Sequence, residues 1–216
     1  MKQIILTICA ASLLLFACNN EKKTDEGKTD KETTKTETKM EESAPMPDSA
    51  TMMKNWQEYM TAGDMHKMLA KSDGEWNGEV TMWMYPGAPE QKSKSTSVNK
   101  MIMNGLYQES NHSGDMMGMP FSGKSTTAYD NHRKEFISTW IDNMGSGIMI
   151  MKGTWDEATK TINMKGRMVD PGTKQDTDVR ETFKINDDNN QEMEMFVMMP
   201  EGKEFKTMNI KYTRKK

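Results

Sequence analysis

From Gly74 to the C-terminus, apolar residues fall at every second position in short runs, and turn-forming residues punctuate the runs at close intervals. In residues 75–84 the residues Trp76, Val80, Met82 and Met84 share one side of an extended chain, which is the two-residue period of a half-buried strand. Nine further segments carry the same signal: 93–103, 106–112, 121–129, 135–141, 148–155, 161–169, 178–185, 192–198 and 205–212. Tyr85-Pro86-Gly87, Asn104-Gly105, Asp130-Asn131, Asp170-Pro171-Gly172, Asp187-Asp188-Asn189 and Glu201-Gly202 supply the turns. Ahead of them, Trp56, Tyr59, Met60, Met68 and Leu69 recur at helical spacing, with Gly63 as a break and Asp64 placed to cap a second short helix ending at Lys71. Serial strands with tight turns and no intervening helix predict an all-β, antiparallel up-and-down barrel of about 8–10 strands, with a short N-terminal helix, over 51–216. Closure removes the unpaired edges that such a meander would otherwise present.

Residues before Thr51 follow another pattern. Lys2 and an uncharged apolar stretch over 4–16 have the anatomy of an export signal, too short to span the roughly 30 Å hydrocarbon core of a bilayer. Leu15-Phe16-Ala17-Cys18 resembles a bacterial lipobox. That resemblance implies cleavage after residue 17, acylation of Cys18 and a membrane partner reached through the lipid, which places the chain in the cell envelope, at the outer membrane. Residues 18–50 are dominated by Lys, Glu, Asp and Thr, lack aromatic residues and read as a disordered tether. Cys9 leaves with the signal and Cys18 carries lipid, so no disulfide can form in the mature chain and the domain must stand on packing. A net charge of −3 argues against nucleic acid as a partner.

The order of several short motifs resembles one family. Gly74-Glu75-Trp76 after a short helix is similar to the opening of calycins, the group that includes lipocalins, and His66 and Leu69 precede it. Tyr85-Pro86-Gly87, Asn104-Gly105, Phe121-Ser122-Gly123, Tyr129-Asp130, Trp140-Ile141-Asp142 and Gly153-Thr154-Trp155-Asp156 follow at spacings that resemble the bacterial family catalogued as domain of unknown function 1579. The resemblance implies a calycin-like barrel with no established activity. It further implies that Arg214 lies over Trp76 and closes one barrel end by a cation–π contact.

Candidate chemistry is sparse. Phe136, Ser138, Trp140 and Asp142 share one strand face, so Trp140 could offer a stacking surface beside the Asp142 acceptor, or else be core beside a turn-forming aspartate. With Tyr129, His112 and Phe121 these two residues form the candidate site for a small apolar or amphipathic ligand. The glycine-rich 114–120 segment reads as the longest loop of the domain and as an entrance lid. His112, Met116, Met117 and Met119 are the soft donors of an alternative copper site. However, of the 25 methionines all but Met1, Met40 and Met46 lie from Met52 onward, where Leu69 and Leu106 are the only leucines. Methionine there substitutes for leucine as core, and neither a metal nor another cofactor is required. His66, His112 and His132 lack zinc-ligand spacing, no serine occupies a nucleophile elbow, and Arg180-Glu181 reads as a solvated strand face. The composition therefore points to a non-catalytic binder, with a filled barrel acting as an interaction scaffold as the other possibility.

Overall fold

A computed structural model describes residues 45–216; the signal segment 1–17, Cys18 and the tether as far as residue 44 lie outside the described residues. Helix α1 (Ser49–Tyr59) starts just ahead of Thr51, where the Asp48 carboxylate accepts the Thr51 amide at 2.9 Å and caps it. It buries nothing: Trp56 and Tyr59, expected from their spacing to be core, are 62% and 52% exposed. Asn131 anchors its C-terminal end, its Nδ2 lying 2.8 Å from the Thr61 carbonyl and 3.2 Å from that of Tyr59. Helix α2 (Asp64–Ala70) does pack, burying His66 and Leu69 against the barrel.

Ten strands follow: β1 (Gly74–Met82), β2 (Gln91–Ile102), β3 (Tyr107–Met116), β4 (Met119–Asp130), β5 (Glu135–Asp142), β6 (Met149–Asp156), β7 (Thr161–Asp170), β8 (Gln175–Ile185), β9 (Asn190–Met198) and β10 (Glu204–Arg214). Each pairs antiparallel with the next, and β1 pairs with β10 to close the barrel. All ten strand segments read from alternation are present, with ends moved by a few residues. Asp130, Asp156 and Asp170 each end a strand and accept backbone amides two and three residues on, while Lys134, Lys160 and Lys174 follow in the left-handed region at φ 56°, 52° and 58°. This repeated Asp-x-x-x-Lys unit builds three of the hairpins.

One expected loop is absent. Residues 114–120 are not a lid; they continue β3 and β4 around a two-residue turn in which Met117 and Gly118 take φ 54° and 79°. Those angles suit a tight hairpin, and the glycine at 114 serves packing instead, since a Cβ there would sit 2.8 Å from the Lys94 carbonyl oxygen. The longer connections at this end are 83–90 and 143–148.

Helix α2 covers the opposite end, where inward-facing side chains take up carbonyls at and just beyond its C-terminus. Gln108 Nε2 donates to Leu69 at 2.7 Å, Arg214 donates to Lys71 and Asp73 at 2.6 Å each, and Trp76 Nε1 and Asn99 Nδ2 donate to Ser72 at 2.9 and 3.0 Å. The Arg214 guanidinium also lies 4.2 Å over the Trp76 ring and donates to the Asp188 carbonyl at 2.8 Å. The carbonyls of Lys71, Ser72 and Asp73 just beyond α2 are thus satisfied by the barrel wall, and that of Leu69, which already accepts the Ser72 amide, gains a second donor. Replacing Arg214 by Met removes the ring contact and three hydrogen bonds, of which the one to Asp73 is partly buried, so R214M should lose about 2–4 kcal/mol in chemical denaturation. Arg180 is bonded twice to Glu204 at 2.7 Å on the outer wall, and R180M should lose about 1 kcal/mol or less. Equal losses for the two variants would contradict this account of the closed end.

Candidate functional site

Register and alternation place one set of residues inside the barrel, and that set is divided. On β2 to β5 the inward positions are mostly small and polar, including Ser93, Ser95, Ser97, Asn99, Gln108, Ser110, Ser125, Thr127 and Ser138. On β6 to β10 most are apolar, with Met149, Met151, Ile162, Met164, Val179, Phe183, Met193, Met195, Met208 and Ile210, while Thr177, Glu181 and Gln191 are polar exceptions. Inward residues at the α2 end are closed off, as with Trp76 and Phe136 at 1% and 0% exposure. Further toward the hairpin end, Ser125, Thr127, Ser138, Trp140, Met149, Glu181 and Met195 keep partial accessibility although they face inward. Facing inward, they are reached from the barrel interior or its open mouth.

Four of the five candidate ligand residues meet near this end. His112 lies edge-on to Trp140 at 5.1 Å between centroids, and Phe121 stacks along the same indole at 6.3 Å with an interplanar angle of 18°. Gly123 makes the cluster possible, because a Cβ there would lie 2.6 Å from Trp140 Cη2 and 3.2 Å from Phe121 Cζ. Asp142 accepts Trp140 Nε1–H at 2.7 Å and the Met144 amide at 2.8 Å. Its two oxygens are therefore engaged, and it orients the indole and forms the turn instead of standing free as an acceptor. Burial lowers the His112 pKa from 6.5 to about 4, so its ring is neutral at physiological pH.

Tyr129 sits elsewhere. It lies at the α2 end, perpendicular to His66 at 5.8 Å and tilted on Phe136 at 4.9 Å, where it is packing. Strand direction separates it from the cluster: Phe121 and Tyr129 are at opposite ends of β4. Of the copper candidates, Met116 and Met119 pair across the β3–β4 hairpin with Met117 in its turn, and His112 stands apart from them. His112 and Met116 lie four residues apart on β3, a strand distance of about 13 Å, while Met117 and Met119 are exposed in and beside the turn.

Glu181 was not among the candidates, and its reading as solvated is corrected by the register. Arg180 points outward to Glu204, whereas Glu181 alternates with inward Val179 and Phe183 and pairs with Met164 and Met195. No hydrogen bond to its carboxylate is found among the described residues. Burial raises its pKa from 4.5 to about 7, and its proximity helps push the Tyr212 phenol upward. The available signal was parity with Val179 and Phe183 in an otherwise apolar face. Two depressions of about 430 and 300 Å³ lie against other residues, along 77–79, 94–96, 113 and 114 and along 156–163 with 182–194, and neither includes the aromatic cluster.

One family model matches residues 61–214, from the approach to α2 through to Arg214. The chain belongs to the family described as protein of unknown function DUF1579. Among solved structures, Rv2717c from M. tuberculosis resembles this DUF1579 chain with a TM-score of 0.56 at 12% identity, covering 72% of this chain and 100% of its own. The S-type phycobiliprotein lyase CPES from Guillardia theta has a TM-score of 0.52 at 10% identity, covering 79% of this chain and 99% of its own. Both likenesses concern the calycin-like barrel fold. No match was found among curated proteins.

The two interior ionisable groups give the DUF1579 barrel opposed pH responses. Glu181, raised above its unfolded pKa, contributes stability that is full below pH 4.5 and lost as pH rises through about 7. His112, depressed below its unfolded pKa, contributes stability that is full above pH 6.5 and lost as pH falls through about 4. E181Q should therefore be more stable than the wild type at pH 8, by about 1–3 kcal/mol given the partial accessibility of Glu181, with the difference vanishing below about pH 5. Denaturation midpoints that differ equally at both pH values would show that Glu181 is not buried.

Proposed function

We propose that this protein is a lipid-anchored component of the bacterial cell envelope, at the outer membrane, whose barrel binds a small amphipathic molecule without chemistry. The observation that carries the reading is the divided lumen: a Ser/Thr/Asn wall on β2 to β5 faces a methionine-rich wall on β6 to β10. A molecule with one polar and one apolar side finds both partners inside. Trp140, Phe121 and neutral His112 offer flat surfaces toward the hairpin end, and unbranched thioethers adapt to varied apolar shapes.

The binding reading predicts that native mass spectrometry of the full chain, purified from its own membranes, shows a retained small-molecule mass that denaturation releases. G123A, which displaces the indole, should reduce that retained fraction by several-fold through the lost stacking, worth roughly 1 kcal/mol. A chain recovered with no bound mass, and with no gain in melting temperature on return of the extracted lipids, would count against the carrier role.

Lipid anchoring rests on the lipobox-like Leu15-Phe16-Ala17-Cys18 sequence. The C18S variant should move from the membrane fraction to the soluble fraction of cells, because several acyl chains at about 0.8 kcal/mol per buried methylene are what would hold it. Retention of C18S in the membrane would exclude this anchor.

A further inference from the structure

The lumen holds a carboxyl with nothing to pair with. Glu181 projects from the centre of the methionine-rich wall, flanked across the sheet by Met164 and Met195. Tyr212 of β10 lies close enough for the two groups to influence each other's charge. Every lysine and arginine on the strands points outward except Arg214, and that guanidinium is fully occupied by the carbonyls of Lys71, Asp73 and Asp188 at the closed end. Asp142 is occupied too, by the indole N–H and a turn amide. The inward hydroxyls of β2 to β5, the buried and unpartnered Ser95 Oγ among them, can donate or accept, so what the interior lacks is a cationic partner for Glu181. Asn99 on the inner face of β2 adds an acceptor: its Nδ2 donates to Ser72, while its Oδ1 is buried with no partner. A buried acceptor without a donor is costly, and Glu181, inward-facing and only partly accessible, is a carboxyl without a cation beside it.

We infer that Glu181 is the specificity-determining residue of the lumen and that the ligand is an amphipathic amine, its ammonium paired with Glu181 and its apolar chain lying along the methionines. The inference rests on the amphipathic-binding reading above and adds the charge of the ligand to it. An anionic amphiphile of the same size meets the opposite conditions, with no free cation to receive its headgroup and a carboxyl that repels it. A neutral one gains the hydroxyl and methionine walls without an ion pair. On entry, the amine supplies the one positive charge the interior lacks, and a charge-assisted bond to Glu181 forms.

The test compares three probes of one chain length on the full chain by calorimetry at pH 8 and physiological salt: octylamine, octanol and octanoate. The wild type should bind octylamine at least about tenfold more tightly than octanol, and octanoate more weakly than either. In E181Q the ratio of octylamine to octanol affinity should fall to near unity. Octanoate or octanol binding as tightly as octylamine in the wild type would overturn the amine assignment and leave the amphipathic lumen standing. An amine preference that survives in E181Q would overturn the role of Glu181. Failure of all three probes to bind would overturn the lumenal reading itself.

Discussion

The contact on which the barrel depends is the union of the C-terminal end of α2 with the inner wall. A closed sheet satisfies its own backbone, but the chain leaving a helix pressed against it does not, and the carbonyls of Lys71, Ser72 and Asp73 find their donors in the barrel wall, which adds a second donor to that of Leu69. Gln108, Asn99, Trp76 and Arg214 converge on these carbonyls from four strands, and the first and last strands are brought into register where Trp76 pairs with Arg214. Closing the barrel and seating the helix are therefore one event. The polar side chains needed for that seat account for part of the polar character of β2 and β3, and the rest of the polar face continues past the seat into the lumen.

This arrangement frees the other end. Because packing is concentrated around Phe136, Met151, Ile162 and Leu69, the hairpin half can leave inward side chains partly accessible without loss of the core. Methionine suits both halves, filling irregular gaps near the plug and forming a compliant wall beyond it. Charges are kept on the outer surface, where Arg180, Glu204, Lys206 and Glu194 pair with one another. Arg214 and Asp142 face inward but are fully engaged, which leaves Glu181 as the unpaired inward charge among the described residues and the one on which the proposed amine specificity rests.

Most of the architecture was legible from alternation and turns, because a strand's period and an Asp- or Gly-bearing hairpin are local properties. What was illegible depended on relations between strands. Tyr129 and Phe121 belong to the same strand and the same face, yet end up at opposite ends of the barrel. His112 and Met116 look adjacent in a soft-ligand run, but an extended backbone separates them. The 114–120 segment looked like a loop by its glycine content, whereas Gly114 is there for the close approach of β2. Glu181 was hidden by its neighbour, since Arg180-Glu181 resembles any exposed charge pair until parity with Val179 and Phe183 is weighed. Trp56 and Tyr59 had helical spacing that the structure leaves in solvent.

The proposed function places the ligand in the space inside the hairpin half. Methionines are distributed over both the lumen and the surface, so their methyl groups report on it directly. Methyl NMR of the full chain with labelled methionine, titrated with octylamine, should show saturable shifts at Met149, Met164, Met193, Met195 and Met208, and none at exposed Met52, Met53 and Met103. Shifts confined to the exposed methionines, or spread evenly over all of them, would contradict a ligand site within the barrel.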